Sequence, residues 1–452
     1  MATAARSTDR SGARGIIRQL TEICGPSFAR SAGAADDVAG RLARWVAVPG
    51  DSSAAAEVLR LAAANDLTVV PRGAGTKIDW GAAPEQVDIM LDTGRLAGIG
   101  HQPAGGPVVE IGAGTPLRAA QAVLARTGQR LALDAPSLGA TLGGVLAADE
   151  SGPLRHRHGG PGEQLVGVRY LNADGELTSA GGGTPGLELA RLLCGSQGGL
   201  GVLVSATLRV QPVPVSRVWV TRPVGSPAEA YDLVRVVLAA PVDPAAVELD
   251  LQARANRTRP PRHPDDPEAV ARAQHPSMFR RPLPTASVGA LTILLEGDPA
   301  DVSERADGLL GLLGDEATAD RSAPAWWGHY PFSPGETALR IEVPATDLRA
   351  GAYALRDVAG SPVPIRGSAG HGVLYAALPG SLPAERVASI VTGVRNTLLA
   401  RRGRCVVVAA PPSVRQAVDL WGELTSLSQL RAAKDYLDPH QRLAPGRLPG
   451  GR

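Results

Sequence analysis

The stretch WVAVPGDSSAAAEVLRLAAANDLTVVPRGAGTKIDWG, residues Trp45–Gly81, carries the pattern that decides the fold. A short apolar segment ends at a proline turn, residues Ser53–Asn65 have the periodicity of an amphipathic helix, and the apolar run LTVV leads into the glycine-rich stretch Pro71–Gly81. This order predicts a β-α-β unit whose second strand ends in a loop. The next segments, VDIMLDTGRL and PVVEIGAGTPLRAAQAVLARTGQRLAL, continue the alternation, and Pro116 opens a helix in its first turn.

The composition limits the classes of function. With 452 residues the chain is long enough for two or three domains. Its 46 basic and 44 acidic residues leave a net charge of +2, which does not favour binding to nucleic acid or to an anionic membrane surface. Lys77 and Lys434 are the only lysines, so the many arginines reflect a composition bias and do not mark a binding patch.

The cysteines and the chain start indicate a compartment. Cys24, Cys194 and Cys405 are far apart, so we expect neither a disulfide framework nor a zinc or iron–sulfur site. No apolar run is long enough for a transmembrane segment, and the first 20 residues lack the apolar core of a signal peptide. We expect a cytoplasmic protein that begins with a frayed end and one short helix.

Turn clusters and changes of periodicity divide the chain. Asp134–Gly162 reads as a long loop system with one short helix, and QLVGVRYLNADGELTSAGG reads as a hairpin around Asn172–Gly175. Beyond the proline-rich stop near Gln211–Val215, strands separated by helical stretches predict an antiparallel α+β domain. The predicted parts are an N-terminal extension at 1–36, a first domain at 37–215, a second domain at 216–425 with a polar surface insertion or lid at 254–284, and a tail at 426–452.

The glycine-rich stretch has features of an anion site. It is neither a P-loop nor a glycine fingerprint that leads straight into an apolar helix. Backbone N–H groups that no side chain obstructs can converge on an anion, Thr76 can donate a hydrogen bond, and Lys77 or Arg72 can offset charge. Taken alone, this stretch is equally compatible with a plain surface turn.

Two further glycine clusters favour a ligand. PSLGATLGGVLAADESGP, Pro136–Pro153, has small residues that would let the backbone approach a flat ring, with Thr141 and Ser151 as hydrogen-bonding groups. GSQGGLGVLVSATLRVQP, Gly195–Pro212, could meet a nucleotide base or ribose. Tight helix packing or a flexible loop would explain one such cluster, but explains two clusters in a repeated β-α frame less well.

Together these segments resemble the FAD-binding domain of the vanillyl-alcohol oxidase/p-cresol methylhydroxylase (PCMH) type. The resemblance is strong over residues 40–215 and weaker beyond, and the whole chain, including APPSVRQAVDLWG and LDPHQRLAPGR, is most similar to the FAD-binding subunit of bacterial glycolate oxidases. It implies an α+β fold in which a two-subdomain PCMH-type FAD-binding domain is followed by a C-terminal α+β cap domain, an antiparallel sheet with helices.

The resemblance also implies the residues that bind FAD. Its pyrophosphate would be wrapped by Arg72, Gly73, Ala74, Gly75, Thr76 and Lys77. Its ribityl and isoalloxazine region would be lined by Pro136, Gly139, Thr141, Gly143, Gly144, Ser151 and Gly152, and its adenosine end by Gly201 and Val202. The first loop has no His or Cys, which favours a noncovalent cofactor. We expect His156 and His158 to be exposed and solvated.

The sequence departs from the family in places that concern activity. GGGTPGLELARLL, Gly181–Leu193, lacks the Lys, Asn and Tyr found there in relatives, which puts flavin contacts in doubt. In related dehydrogenases two histidines bind a metal, whereas Ser368 and Tyr375 stand at those positions here. Neither is a good ligand for such a metal, so we predict no metal site, and His371 is a weak candidate for catalysis.

The resemblance implies oxidation of a 2-hydroxy acid such as glycolate, by hydride transfer to flavin. No catalytic residue can be assigned. The expected partners are a second flavin subunit and an iron–sulfur subunit, with nucleic acid disfavoured and any contact with the inner membrane made through those partners. The alternative is a non-catalytic structural subunit, or a paralogue whose flavin site has decayed.

Overall fold

A computed structural model describes residues 2–100, 106–183, 186–252 and 288–451. The polar insertion predicted at 254–284 lies outside these residues. Within them, no helix is both long enough and apolar enough to cross a membrane.

The first subdomain contains the β-α-β unit predicted from Trp45–Gly81. Its four-stranded sheet has the order β1-β4-β6-β5, and β4 and β5 both run parallel to β6. The Asp51 side chain caps α2 by accepting a hydrogen bond from the N–H of Ala54, 2.9 Å away. The elements are α1 (Ala2–Cys24), β1 (Ala29–Ser31), β2 (Asp37–Val38), β3 (Arg41–Leu42), β4 (Trp45–Ala47), α2 (Ser52–Ala64), β5 (Val69–Arg72) and β6 (Ile89–Asp92).

The helix at the chain start is longer than expected. It spans 23 residues, Ala2–Cys24, whereas the sequence suggested a frayed end and one short helix. Ile16, Leu20 and Cys24 recur at helical spacing and are buried in the apolar core of the first subdomain. The apolar stripe that fixes this helix is therefore at its C-terminal end.

The second subdomain is an antiparallel sheet of order β10-β9-β11-β7 with helices around it. The predicted hairpin is confirmed, because β9 and β10 pair and the Asn172 side chain accepts hydrogen bonds from the N–H groups of Asp174 and Glu176 in the turn. The elements are β7 (Val108–Gly112), α3 (Leu117–Ala125), β8 (Gln129–Arg130), α4 (Leu142–Ala147), α5 (Arg155–His158), α6 (Pro161–Gln164), β9 (Leu165–Leu171), β10 (Leu177–Gly181), α7 (Leu187–Leu193), β11 (Val202–Arg209) and β12 (Gln211–Pro212).

The cap is an eight-stranded antiparallel sheet of order β16-β13-β15-β14-β18-β19-β17-β20. Alternate strand residues form one large core with five of the described helices, as the period of two requires. The elements are β13 (Ser216–Val224), α8 (Pro227–Ala239), β14 (Ala246–Leu251), β15 (Gly289–Gly297), α9 (Pro299–Leu313), β16 (Thr318–Asp320), β17 (Thr337–Glu342), a 3-10 turn (Ala345–Asp347), α10 (Leu348–Ala359), β18 (Ile365–Ser368), β19 (Val373–Leu378), α11 (Ala384–Leu399), β20 (Arg404–Ala409) and α12 (Pro412–Ala417).

The last segment of the chain returns to the first subdomain. After α13 (Leu427–Leu437), the N–H of Val69 donates to the carbonyl of Arg442 at 2.8 Å, and the N–H of Ala444 donates to the carbonyl of Val69 at 2.9 Å. The tail thus pairs alongside β5, the strand that leads into the glycine-rich stretch.

Lys434 holds this tail in place. Its side chain is fully buried, and its Nζ donates to Asp438 Oδ2 at 2.5 Å and to the carbonyl oxygens of Gly199 and Leu443, each at 2.7 Å. A buried ammonium group is stable only when its donors are satisfied, and here all three are. Lys434 therefore joins the tail to the third glycine cluster.

We predict that Lys434→Met destabilises the protein by about 3–5 kcal/mol, because it leaves the Asp438 carboxylate buried without its cation. The measurement is the free energy of unfolding from denaturant titration. The double variant Lys434→Met/Asp438→Asn removes the orphaned charge and should recover part of the loss. A single variant as stable as the wild type would contradict this account.

Candidate cofactor and substrate site

The three glycine clusters meet around one cleft. It runs between the end of β5, the start of α4 and the turn before β11. Ten of the predicted FAD-binding residues line it: Arg72, Gly73, Ala74, Gly75, Thr76, Lys77, Thr141, Gly143, Gly144 and Gly201.

The other five predicted residues lie outside the lining of this cleft. Ser151 accepts a hydrogen bond from Arg155 Nη1 at 2.8 Å, and Gly152 packs against the backbone and side chain of Asp134. Val202 is fully buried in the core of the first subdomain. Pro136 is half-buried and Gly139 is exposed, with φ +79°.

Gly73 and Gly143 allow the loops to approach one another closely. A Cβ on Gly73 would overlap with Oγ1 of Thr141, and a Cβ on Gly143 would lie 2.8 Å from the Cβ of Ala113. Thr141 Oγ1 in turn accepts a hydrogen bond from the N–H of Gly144 and caps α4. The first two clusters are therefore packed directly against each other.

The backbone of residues 73–77 borders the cleft. Among the described residues, none accepts a hydrogen bond from the main-chain N–H groups of residues 73–77. Backbone N–H groups left without an acceptor at a concave surface form an anion-binding nest. These residues fit a diphosphate through their backbone.

The charged side chains of this stretch already have partners within the chain. Arg72 pairs with Asp36 at 3.2 Å and with Asp92 at 2.8 Å. Lys77 is buried, pairs with Glu150 and contacts Ser137, and burial lowers the pKa of its ammonium group. The first loop is thereby tied through Lys77 to the second glycine cluster.

A second, larger cavity adjoins the cleft and lies between the two N-terminal subdomains and the cap. Trp80, Ala148 and Gln197 line both spaces, so these three residues mark the junction. A cofactor that extends along the cleft would therefore reach the boundary of the interdomain cavity.

The cap contributes the face of its sheet that points away from its helices. On the adjacent strands β19, β17 and β20, Tyr375, Arg340 and Val406 lie opposite one another in register. Arg340 pairs with Glu342 at 2.8 Å and lies 3.8 Å from Asp149. The cavity wall thus combines a charged centre with aromatic and aliphatic neighbours.

Tyr330 connects this wall to Lys77. Its hydroxyl donates to Glu150 Oε1 at 3.0 Å, and its ring contacts those of Trp80, Phe332 and Tyr375 with centroid separations of 5.4, 4.9 and 4.8 Å. Burial, together with the neighbouring Tyr375 and Glu150, raises the pKa of Tyr330 well above its usual value. The phenol is a hydrogen-bond donor at neutral pH.

The expectation that His156 and His158 are solvated is wrong. Both are half-buried on α5, which packs against β14 of the cap. His158 Nδ1 lies 3.1 Å from Gln211 Nε2, and its Nε2 is buried without a hydrogen-bond partner. Burial lowers the pKa of both imidazoles, because it disfavours the charged form.

Ser368 and Tyr375, which stand where related dehydrogenases have metal-binding histidines, do not both line the cavity. Tyr375 and His371 line the cavity, while Ser368 is buried outside its lining. Across the described ranges, no three His, Cys, Asp or Glu side chains are arranged to hold a metal ion.

Arg447 is a site residue to which the sequence reasoning gave no role. It is 3 % exposed and lines the cleft. Its Nη1 donates to the carbonyl of Ile78 at 2.9 Å, and its Nη2 donates to the carbonyl of Trp80 at 2.7 Å and to Gln197 Oε1 at 3.3 Å. It clamps the first and third glycine clusters together. The sequence feature that could have indicated Arg447 was its position at the end of LDPHQRLAPGR, a segment that resembles the family.

Comparison with known proteins supports the cofactor. The family described as FAD binding domain matches residues 43–181. A D-lactate dehydrogenase of Archaeoglobus fulgidus is 29 % identical over 171 residues, 37 % of this chain and 38 % of the relative. A D-2-hydroxyglutarate dehydrogenase of Xanthomonas citri pv. viticola is 30 % identical over 179 residues, 38 % of each chain.

The glycolate oxidase subunit GlcE of Escherichia coli is 35 % identical over 113 residues, 24 % of this chain and 32 % of the relative. The matched part of this chain thus spans between 32 % and 38 % of the length of these relatives. A solved structure of alkyldihydroxyacetonephosphate synthase has a TM-score of 0.71 at 16 % identity, covering 96 % of this chain and 86 % of that one. This likeness over both parts of the chain confirms the predicted fold class.

We predict that Gly73→Ala lowers the affinity for FAD at least tenfold, because the new methyl group would displace Thr141 and reshape the nest of N–H groups. The measurement is FAD content after purification, followed by titration of the apoprotein with FAD. Gly162→Ala is the matched control, since no atom lies within 4 Å of the position of its Cβ. Wild-type affinity in the Gly73 variant would rule out a role for this loop in holding FAD.

Arg447→Gln should also weaken FAD binding at least tenfold, since it removes charge-assisted hydrogen bonds to two carbonyl groups. The matched control is Arg442→Gln, from the same tail, whose guanidinium lies 3.3 Å from the exposed Asp174. FAD titration of both apoproteins provides the comparison. Equal affinities for the two variants would show that the clamp does not shape the cleft.

Proposed function

We propose, from the premise that residues 43–181 form an FAD-binding domain of the PCMH type, that the chain is an FAD-dependent oxidoreductase subunit that acts on a 2-hydroxy acid such as glycolate. The observation that carries the proposal is the junction at Trp80, Ala148 and Gln197, where the cleft adjoins a cavity whose lining contains four arginines. This arrangement places the end of a ligand in the cleft next to a second binding space.

The chain's own residues fit a noncovalently held FAD. Residues 73–77 would bind the diphosphate through their backbone N–H groups, and Gly143, Gly144 and Gly201 leave space along the cleft. Arg72 and Lys77 would act indirectly, since their ion pairs fix the position of the loop. When bound, FAD supplies an acceptor for two electrons as a hydride.

The cavity is electrostatically suited to an organic anion. Its lining includes the four arginines Arg155, Arg340, Arg402 and Arg404 against the three carboxylates Asp149, Glu150 and Glu342. Lys77 pairs with Glu150, and the other two carboxylates lie beside Arg155 and Arg340. The surplus positive charge would bind and orient the carboxylate of the substrate.

Removal of the hydroxyl proton requires a proton acceptor on the cavity wall. His371 is the imidazole in the lining of this cavity, and partial desolvation lowers its pKa, which favours the neutral form that can accept a proton. Glu150 is already engaged by Lys77, Tyr330 and the N–H of Ser137. His371 is therefore the better acceptor in this proposal.

We further propose that electrons leave through partner subunits. Cys24, Cys194 and Cys405 are each free, and they lie in three separate parts of the fold. A route through an iron–sulfur centre would therefore need a second chain, together with a second flavin subunit as in the oxidases that this sequence resembles. The proposed setting is cytoplasmic, with membrane contact through those partners. The alternative is a structural subunit with a decayed flavin site.

The test is spectroscopic. We expect the purified protein to show the bands of oxidised flavin, release FAD on denaturation, and bleach when a 2-hydroxy acid is added without oxygen. Arg340→Gln should weaken binding of the acid while retaining FAD. A protein that takes up no FAD would favour the structural alternative, and a flavoprotein that no 2-hydroxy acid bleaches, with or without the partner subunits, would overturn the proposed substrate class.

A further inference from the structure

One strand of the cap displays a change from charge to apolar surface along the interdomain cavity. On β20, Arg404, Val406 and Val408 share the face that lines the cavity, while Cys405 and Val407 are buried in the helical core of the cap. A strand rises about 3.4 Å per residue, so the Cα atoms of the first and last of these residues lie roughly 13 Å apart.

The charged end of the strand is supported by its neighbours. Arg404 lies opposite Glu342 on β17, and Arg340 lies opposite Val406, so the two arginines are diagonal neighbours on one face. Arg404 is exposed, and it forms no ion pair with another described residue. It is available to a carboxylate that enters the cavity.

The other end of the strand is surrounded by aromatic side chains. Val406 and Val408 are each at most 9 % exposed and pack in a cluster with Trp80, Phe332, Tyr375 and Trp421. Trp80, Tyr375 and Trp421 also line the cavity. The N–H of Gly81 donates to the carbonyl of Val408 at 2.8 Å, which fixes this apolar wall to the glycine-rich stretch.

We infer that the chain binds 2-hydroxy acids with an extended apolar side chain, a medium-length alkyl or an aryl group, in preference to glycolate. The inference rests on the proposed function and names the substrate class of that site. The carboxylate is held by Arg404 and Arg340, and the side chain lies along Val406 and Val408 towards Trp421.

The physical reason is the mismatch between glycolate and the wall. Glycolate has no carbon beyond the one that bears its hydroxyl, so it would leave the half-buried rings of Trp80, Tyr375 and Trp421 in contact with water. Each methylene buried there contributes about 0.8 kcal/mol, a factor of about four in affinity. A longer side chain therefore gains affinity until the wall is covered.

The experiment uses the FAD-bound chain without oxygen and a series from glycolate through lactate, 2-hydroxyhexanoate, 2-hydroxyoctanoate and phenyllactate. Dissociation constants are read from the perturbation of the flavin spectrum, and reduction is read from bleaching. We expect affinity to rise three- to fourfold per methylene up to the hexanoate, and phenyllactate to bind at least tenfold more tightly than glycolate.

Substitutions at the two ends of β20 test the carboxylate contact and the apolar contact separately. Val408→Thr keeps the shape but adds a hydroxyl, and it should weaken 2-hydroxyoctanoate at least three times more than glycolate. Arg404→Gln should weaken every acid by a similar factor. Val236→Thr, on the outer surface of α8 and 40 % exposed, is the control that should change none of these constants.

The outcomes distinguish this inference from the function on which it rests. Flavin reduction with affinity that is flat or falls with chain length overturns the inference and leaves the oxidoreductase function standing. Affinity that rises with chain length without any reduction, with or without the partner subunits, supports the inference and overturns the redox function. If none of the acids binds or reduces the flavin, both are overturned.

Discussion

The buried ion pair between Lys77 and Glu150 is the constraint on which the rest of the site depends. Lys77 belongs to the loop after β5, Glu150 follows α4, and Tyr330 of the cap donates a hydrogen bond to the same carboxylate. Three separate parts of the chain are thereby held at one point. A charge in a medium of low dielectric is stable only if it is paired, so none of the three parts can move away without exposing or orphaning a charge.

The same principle governs the tail. The chain has two lysines, and both are buried in internal ion pairs, Lys77 with Glu150 and Lys434 with Asp438. An ammonium group on a flexible stem can satisfy three acceptors at once, as Lys434 does with Gly199, Leu443 and Asp438. Both lysines of this sequence thus have a structural role in the interior, whereas the exposed cationic side chains are arginines.

The sequence was informative where a local pattern determines the structure. The β-α-β unit of Trp45–Gly81, the Asn172–Gly175 hairpin and the antiparallel cap follow from periodicity and turn chemistry. The glycine clusters predicted a shared ligand site, and most of the residues named for it line one cleft. The pairing of Arg72 with Asp36 and Asp92 could not be predicted, because it depends on which distant carboxylates the fold brings near.

Long-range contacts account for the other differences. The burial of His156 and His158 arises from the packing of α5 against a cap strand almost 90 residues further along the chain, so neighbouring arginines gave a misleading signal. Arg447 was overlooked because its partners are main-chain carbonyl groups, which leave no trace in the identity of the residues that carry them. We expected Val202 at the ligand because it follows Gly201. The side chains of β11 alternate between the two faces of the sheet, and that of Val202 lies in the core of the first subdomain.

The return of the tail has a consequence for biogenesis. The carbonyl of Ile78 meets its guanidinium partner 369 residues later in the chain. During synthesis, the glycine-rich loop therefore emerges long before the clamp that shapes it, and the cap is translated in between. The clamp can form only after the cap has been translated, and until then the glycine-rich loop lacks the contact that joins it to the third glycine cluster.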